Sequence, residues 1–128
     1  MRTHRNPSNI HSPLAGYVHQ IEITSPKRQL HISGQIGMKI EGSIPESVDE
    51  QFEIALTNII KNLEEAKMGI ENIDKLTMYL SESMDNIRRK EILEMKLGNY
   101  RPCMTLVYVK ALANPFLKVE IDASASSD

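Results

Sequence analysis

Between Val48 and Lys67 the apolar residues Phe52, Leu56, Ile59, Leu63 and Ala66 recur at spacings of three and four, with Ala55 and Ile60 widening the stripe. On both sides of this segment the apolar period drops to two. A period near 3.6 belongs to an amphipathic helix and a period of two to half-buried strands, so the chain must fold as strands interrupted by helices. Gly69 is placed to end the first helix. Upstream, Tyr17 to Thr24 alternates, with Val18, Gln20 and Glu22 on one side and Tyr17, His19, Ile21 and Ile23 on the other. Leu30, Ile32, Gly34 and Ile36 then oppose Gln29, His31, Ser33 and Gln35, and Ser25-Pro26-Lys27-Arg28 supplies turn chemistry between the two runs, which predicts a hairpin. Downstream a strand is expected at Ile73–Leu80 and a second helix at Met84–Leu97, closed by Gly98. After Pro102, strands are expected at Met104–Ala111 and Leu117–Ala123, joined by Leu112-Ala113-Asn114-Pro115. Residues 1–13, with Asn, Ser, His and two prolines, read as an irregular N-terminal arm.

This order predicts an α+β fold, one mixed sheet with both helices packed on a single face. The other face needs a cover. Met104, Leu106 and Tyr108 on one side of their strand and Cys103, Val107 and Val109 on the other are nearly all apolar, which points to burial against another subunit. With 128 residues and 41% apolar composition, the chain holds enough for one core, and a single domain over 1–128 is expected. Lys and Arg total 15 against 17 Asp and Glu, and a net charge of −2 offers no general attraction for nucleic acid or an anionic membrane. No apolar run has the length of a signal peptide or a membrane span, and the lone Cys103 builds no internal disulfide, so a cytoplasmic location is expected.

The segments Pro13-Leu14-Ala15-Gly16-Tyr17, Ser33-Gly34-Gln35-Ile36, Arg101-Pro102-Cys103-Met104, Ala113-Asn114-Pro115 and Val119-Glu120-Ile121-Asp122 together resemble the Rid (YjgF) family of reactive enamine and imine deaminases. Their order and spacing match along more than a hundred residues, with only the ends falling outside. The resemblance implies a chorismate-mutase-like fold assembled as a homotrimer, with a small-molecule cleft between neighbouring subunits. It departs at one point. The family usually carries an arginine two residues after the proline, clamping the carboxylate of a 2-imino acid through two parallel hydrogen bonds, and here that position is Met104. A thioether carries no charge and donates no hydrogen bond. Arg101 lies three residues earlier, which in an extended strand would turn it to the opposite face.

Glu120 matches the acidic residue to which the family assigns the positioning or activation of the attacking water. Read from alternation alone, it belongs to a solvated row with Lys118 and Asp122. Tyr17 aligns with the tyrosine at the cleft mouth, and interface packing is the other reading of a tyrosine there. Ser33 and Gly34 match the segment that lines the cleft, while a strand kink explains the glycine equally well. Lys90 falls where many relatives carry an asparagine at the cleft, or else belongs to the solvated run Arg88-Arg89-Lys90-Glu91. Leu106 stands where some deaminases place a cysteine, and Cys103 cannot replace it because odd spacing puts the two on opposite strand faces. Cys103 reads as a small buried hydrophobe.

His4, His11, His19 and His31 show no ligand spacing, and Gly34 with Gly37 makes no dinucleotide fingerprint, so neither a metal nor a cofactor is expected. The functional expectation is hydrolysis of an enamine- or imine-type substrate other than the small 2-imino acids. The alternative is a non-catalytic small-molecule-binding trimer that kept the cleft and lost turnover. RNA cleavage, attached to some members of the family, finds least support: there is no basic patch with interleaved aromatics and no histidine pair for acid and base roles. Hydrogen bonds to a charged group contribute roughly 1.5–3 kcal/mol, and leaving a carboxylate unpaired in a partly dry cleft costs more, so Met104 should leave 2-iminobutanoate hydrolysis weak or absent, at least about tenfold below an arginine-bearing relative. A coupled assay giving comparable rates for the two would overturn that expectation.

Overall fold

The computed structural model describes residues 1–128 as six strands and two helices: β1 (Arg2–Arg5), β2 (Gln20–Ile23), β3 (Arg28–Ile36), α1 (Val48–Glu65), β4 (Ile73–Leu80), α2 (Asn86–Leu97), β5 (Cys103–Tyr108) and β6 (Val119–Ser127). Four strands form a mixed sheet in the order β3-β6-β4-β5, with β6 antiparallel to both neighbours and β4 parallel to β5 through the α2 crossover. Ser47 caps α1 by accepting from the Glu50 amide, and Asp85 caps α2 by accepting from the Arg88 amide. Gly98 closes α2 at a φ of +59°. At the end of α1 the left-handed residue is Lys67 rather than Gly69, which instead opens a short 3₁₀ turn over Ile70–Asn72. No helix is long and apolar enough to cross a membrane.

Alternation on the strands divides the sheet into two faces. Leu76, Met78 and Leu80 of β4 and Val119, Ile121, Ala123 and Ala125 of β6 are buried beneath Phe52, Ala55, Leu56, Ile59 and Leu63 of α1 and Ile92 and Leu97 of α2. This is one cluster of 18 buried residues. Their neighbours Lys75, Thr77, Tyr79, Glu120, Asp122 and Ser124 point to the opposite face, which no element of the chain covers. Register places Met104 opposite Leu76 and Leu106 opposite Met78, so both belong to the helix-side row, whereas Cys103 and Thr105 sit beside Lys75 and Thr77 on the bare face. The apolarity seen on both sides of β5 therefore has two sources: one row enters the core, and on the bare face Val107 is the large exposed hydrophobe. That face is mostly polar, not the apolar surface the sequence predicts.

Two expectations fail at the N-terminus. The β2–β3 hairpin does not form: β2 shrinks to four residues and pairs antiparallel with β1, which takes the place of the irregular arm over Arg2–Arg5. The partner of β3 is β6, an alternative that local turn chemistry cannot reveal. Arg2 ties this ribbon to the sheet. Its Nη1 donates to the Asn72 and Ser126 carbonyls at 2.9 and 3.0 Å and pairs with Asp74 at 2.7 Å, and its Nη2 donates to the Ile73 carbonyl and Tyr100 Oη, each at 2.8 Å. A second buried polar centre is Gln51, wholly enclosed. It donates to the Pro45 and Phe116 carbonyls and accepts from the Lys118 amide at 2.7 Å, fastening two loops to α1.

Burial raises the Asp74 carboxyl pKa, opposed first by the Ser126 hydrogen bond and then by Arg2. The folded chain thus holds that proton more tightly than the unfolded chain does. Asp74's contribution to stability is fully present below its ordinary value of 3.8 and is lost as pH rises through the raised folded value. Arg2→Ala, which leaves the buried carboxylate unpaired, should cost about 3–5 kcal/mol at neutral pH. Urea unfolding at a series of pH values should show this deficit shrinking on acidification. A deficit that ignores pH would mean that Arg2 acts only through the carbonyls.

Candidate functional site

The predicted site residues separate into two groups. On the bare face, β3 carries a one-residue bulge: Ile32 pairs with Ala123 and Gln35 with Ile121, so Ser33 and Gly34 together oppose Asp122. The bulge and the missing side chain let the Glu120 side chain lie across Gly34, where an added Cβ would fall 2.6 Å from its Cδ. Only glycine permits that approach. Beside Glu120, Tyr79 donates to Asp122 Oδ2 at 2.9 Å, and this bond raises the phenol pKa and keeps it protonated. Ser33 is exposed and its carbonyl accepts from Gln35 Nε2.

The second group surrounds a cavity of about 390 Å³ at the β5 end of the molecule, between α2 and the Leu14–Gly16 turn. Met104, Leu93 and Leu97 supply apolar lining, and Arg89, Lys90 and Arg101 supply charge. The parity expectation for Arg101 is overturned. Strand β5 begins only at Cys103, so Arg101 lies in the preceding loop, where alternation does not apply, and it lines the same cavity as Met104. Its Nη1 donates to the Gly98 and Tyr100 carbonyls, and its Nε lies 3.5 Å from where a Cβ on Gly16 would stand. Tyr17 follows that turn and its Oη accepts from the Leu14 amide at 3.2 Å, fixing the loop beside the cavity. Leu106 is half-buried against the core, one step along the row from Met104.

The two groups are therefore not neighbours. Glu120, Ser33 and Gly34 share the bare face, while Met104, Leu106 and Lys90 lie on the helix side. Sequence reasoning set Arg101 aside on strand parity and gave Arg89 no role beyond the charged run, although nearness to Met104 and Lys90 was a signal for both.

Cys103 is half-buried on the bare face, and burial pushes its thiol pKa up despite a hydrogen bond with the Ile21 backbone. A raised pKa lowers the thiolate fraction at neutral pH. One histidine pair does form, contrary to expectation: the His11 and His19 rings stand 5.0 Å apart, edge to face. Each is engaged, His11 Nδ1 donating to the Ser12 carbonyl and His19 Nε2 to the His11 carbonyl.

The class is an α+β domain with a four-stranded mixed sheet, a cavity of about 390 Å³ at its edge strand and a carboxylate laid over a glycine bulge. The chain belongs to the Rid (YjgF) family, and the family model described as endoribonuclease L-PSP matches residues 8–127. A RutC family protein of Aquifex aeolicus (strain VF5) is 34% identical over 115 residues, covering 87% of this chain and 90% of the relative. Among solved structures, the chain is similar to YyfB of Yersinia pestis, a Rid family protein of unknown function, with a TM-score of 0.86, 24% identity and 98% of each chain covered. RidA from an Antarctic Psychrobacter gives a TM-score of 0.71 at 23% identity, with 90% of this chain and 91% of that one covered. At these identities the structural likeness concerns the fold.

The backbone at Gly34 does not require glycine's freedom, so Gly34→Ala should fold, with the methyl displacing the flexible Glu120 side chain instead of the strand. The expected outcome is a shifted Glu120 carboxyl resonance in NMR spectra, with unfolding stability changed by no more than about 1 kcal/mol. An unmoved resonance would show that Gly34 does not set the carboxylate's position.

Proposed function

We propose that this protein hydrolyses an enamine- or imine-type substrate other than the small 2-imino acids, in a cleft shared between subunits of a homotrimer. The observation that carries this reading is the separation of the two residue groups. The strand pleat holds Glu120 on the bare face and Met104 on the other, where α2 and the loop before β5 bring Lys90 and Arg101 beside Met104, so a single ligand meets both groups only where the bare face of one copy approaches the cavity of the next. A heterologous interface of that kind forms a closed ring when its rotation closes, as it would for three copies related by a threefold rotation. Family membership supports the same arrangement.

The chemistry asked of Glu120 is modest. Its carboxylate takes a proton from water as the water oxygen bonds to the C=N carbon, and gives that proton to the nitrogen. In the tetrahedral carbinolamine the carboxylate then moves the hydroxyl proton to the nitrogen as C=O forms and the C–N bond breaks, so amine and carbonyl products leave and the carboxylate is restored. Gly34 gives the Glu120 side chain itself room to lie across the strand. Met104 contributes an apolar contact where a guanidinium would grip an adjacent carboxylate, which turns the site from small 2-imino acids. Loss of turnover with retained binding is the second reading, and Met104 is the residue that favours it.

Complementation tests the proposal. Glu120→Gln and Met104→Glu should each lack turnover on an imine panel, whereas co-expressed chains should regain activity at about a quarter of the sites, because some clefts receive an intact half from each variant. Recovery absent while mixed trimers form would rule out a shared site. A wild-type protein that binds panel compounds and turns none over would leave the non-catalytic reading.

A further inference from the structure

The cavity beside Met104 has no guanidinium at that position, yet three cations line it. Arg89, Lys90 and Arg101 face one carboxylate, the exposed Glu94, which leaves an excess of two positive charges in a protein whose net charge is −2. None of the three cations forms an ion pair. The pairs of α2 use other residues, Arg88 with Asp49 and Glu91, and Lys96 with Glu53. Arg89 Nη2 donates to Asn86 Oδ1 at 2.8 Å, but its Nη1 is closed to solvent and has no partner. Arg101 is braced through Nη1 by the Gly98 and Tyr100 carbonyls and packs along Gly16, so its fork is oriented before any ligand arrives. Unpaired cations held together around an enclosed space are the arrangement that binds an oxyanion.

We propose that this cavity holds an oxyanionic group of the ligand, a carboxylate or a phosphate. Arg101 grips it, and Lys90 and Arg89 raise the local potential. The guanidinium absent from position 104 is replaced by one entering from the loop ahead of β5, on the Gly16 side of the cavity. The cavity's volume of about 390 Å³ and its apolar lining of Met104, Leu93 and Leu97 leave room for an apolar stretch between the anion and the reacting carbon. The substrate class is thus an imine or enamine with an anionic tail set apart from the C=N bond by hydrocarbon. The anion site itself stands independently, and only the reacting end rests on the proposed hydrolysis.

Hexanoate, hexyl phosphate and the uncharged hexanamide, titrated calorimetrically into the full-length protein, separate the terms. At least one anion should bind, hexanamide should bind at least about tenfold more weakly, and affinity should fall with added salt. Which anion binds more tightly distinguishes carboxylate from phosphate. Arg101→Gln should weaken the anion about tenfold or more, Arg101→Lys should recover part of that loss, and the exposed Lys90→Met should weaken it several-fold. Lys61→Gln, beside the separate recess between α1 and Met38–Glu41, should change nothing. Hexanamide binding as tightly as hexanoate, anion affinity unaffected by both Arg101→Gln and Lys90→Met, or no binding of either anion would overturn the proposal. Glu120→Gln should abolish turnover while sparing anion affinity, so failure of the hydrolytic reading leaves a different signature from failure of the anion site.

Discussion

Everything functional in this chain depends on the pleat of a four-stranded sheet that is covered on one face only. Successive side chains of β4 and β6 point to opposite sides, so each residue buried under the helices obliges its neighbour to face outward. Ile121 and Val119 are fully enclosed, and Glu120 between them is thereby placed on the bare face. The same rule puts Met104 over Leu76 and turns Cys103 away. Core packing therefore positions the candidate chemistry as a by-product: a register slip of one residue in β6 would bury Glu120 and expose Ile121.

Polar groups inside the protein complete what hydrophobic burial leaves undirected. Gln51 satisfies three backbone groups from segments far apart in sequence, and Arg2 fills a cage of carbonyls at the end of β4 and β6. Enclosed amides and charges of this kind are costly unless their partners are in place, so they select one arrangement of loops from the many an apolar core tolerates. The arrangement selected here brings the Leu14–Gly16 turn against Arg101 and closes one side of the cavity.

This member of the Rid family carries the Glu120 carboxylate over the Gly34 bulge and, in the separate cavity, has Met104 with Arg89, Lys90 and Arg101 around it. Exchanging arginine for methionine on a strand removes two hydrogen bonds of fixed direction, while arginines on a loop and a helix supply charge from other directions. Under the proposed anion site, such an exchange would retain an attraction for anions and change which anion-to-carbon spacing fits, a change in specificity more than in chemistry.

Several features were legible in the residue order: the helical stripe from Phe52 to Leu63, the strand at Ile73–Leu80, the opposed facing of Cys103 and Leu106, and the family motifs from Pro13 to Glu120. Local periodicity and short-range sterics determine those, and they are properties of neighbouring residues. The pairing of β3 with β6, the polar strand Arg2–Arg5, the convergence of Arg89, Lys90 and Arg101, and the distance between the Met104 and Glu120 groups were decided by tertiary structure. Each of these depends on residues beyond the reach of local periodicity, from Arg89 and Arg101 on either side of the α2 C-terminus to β3 and β6 near opposite ends of the chain. Arg101 shows the reason most plainly: alternation predicts a direction only inside a strand, and where the strand begins is settled by its hydrogen-bonded partner β4, not by its own sequence.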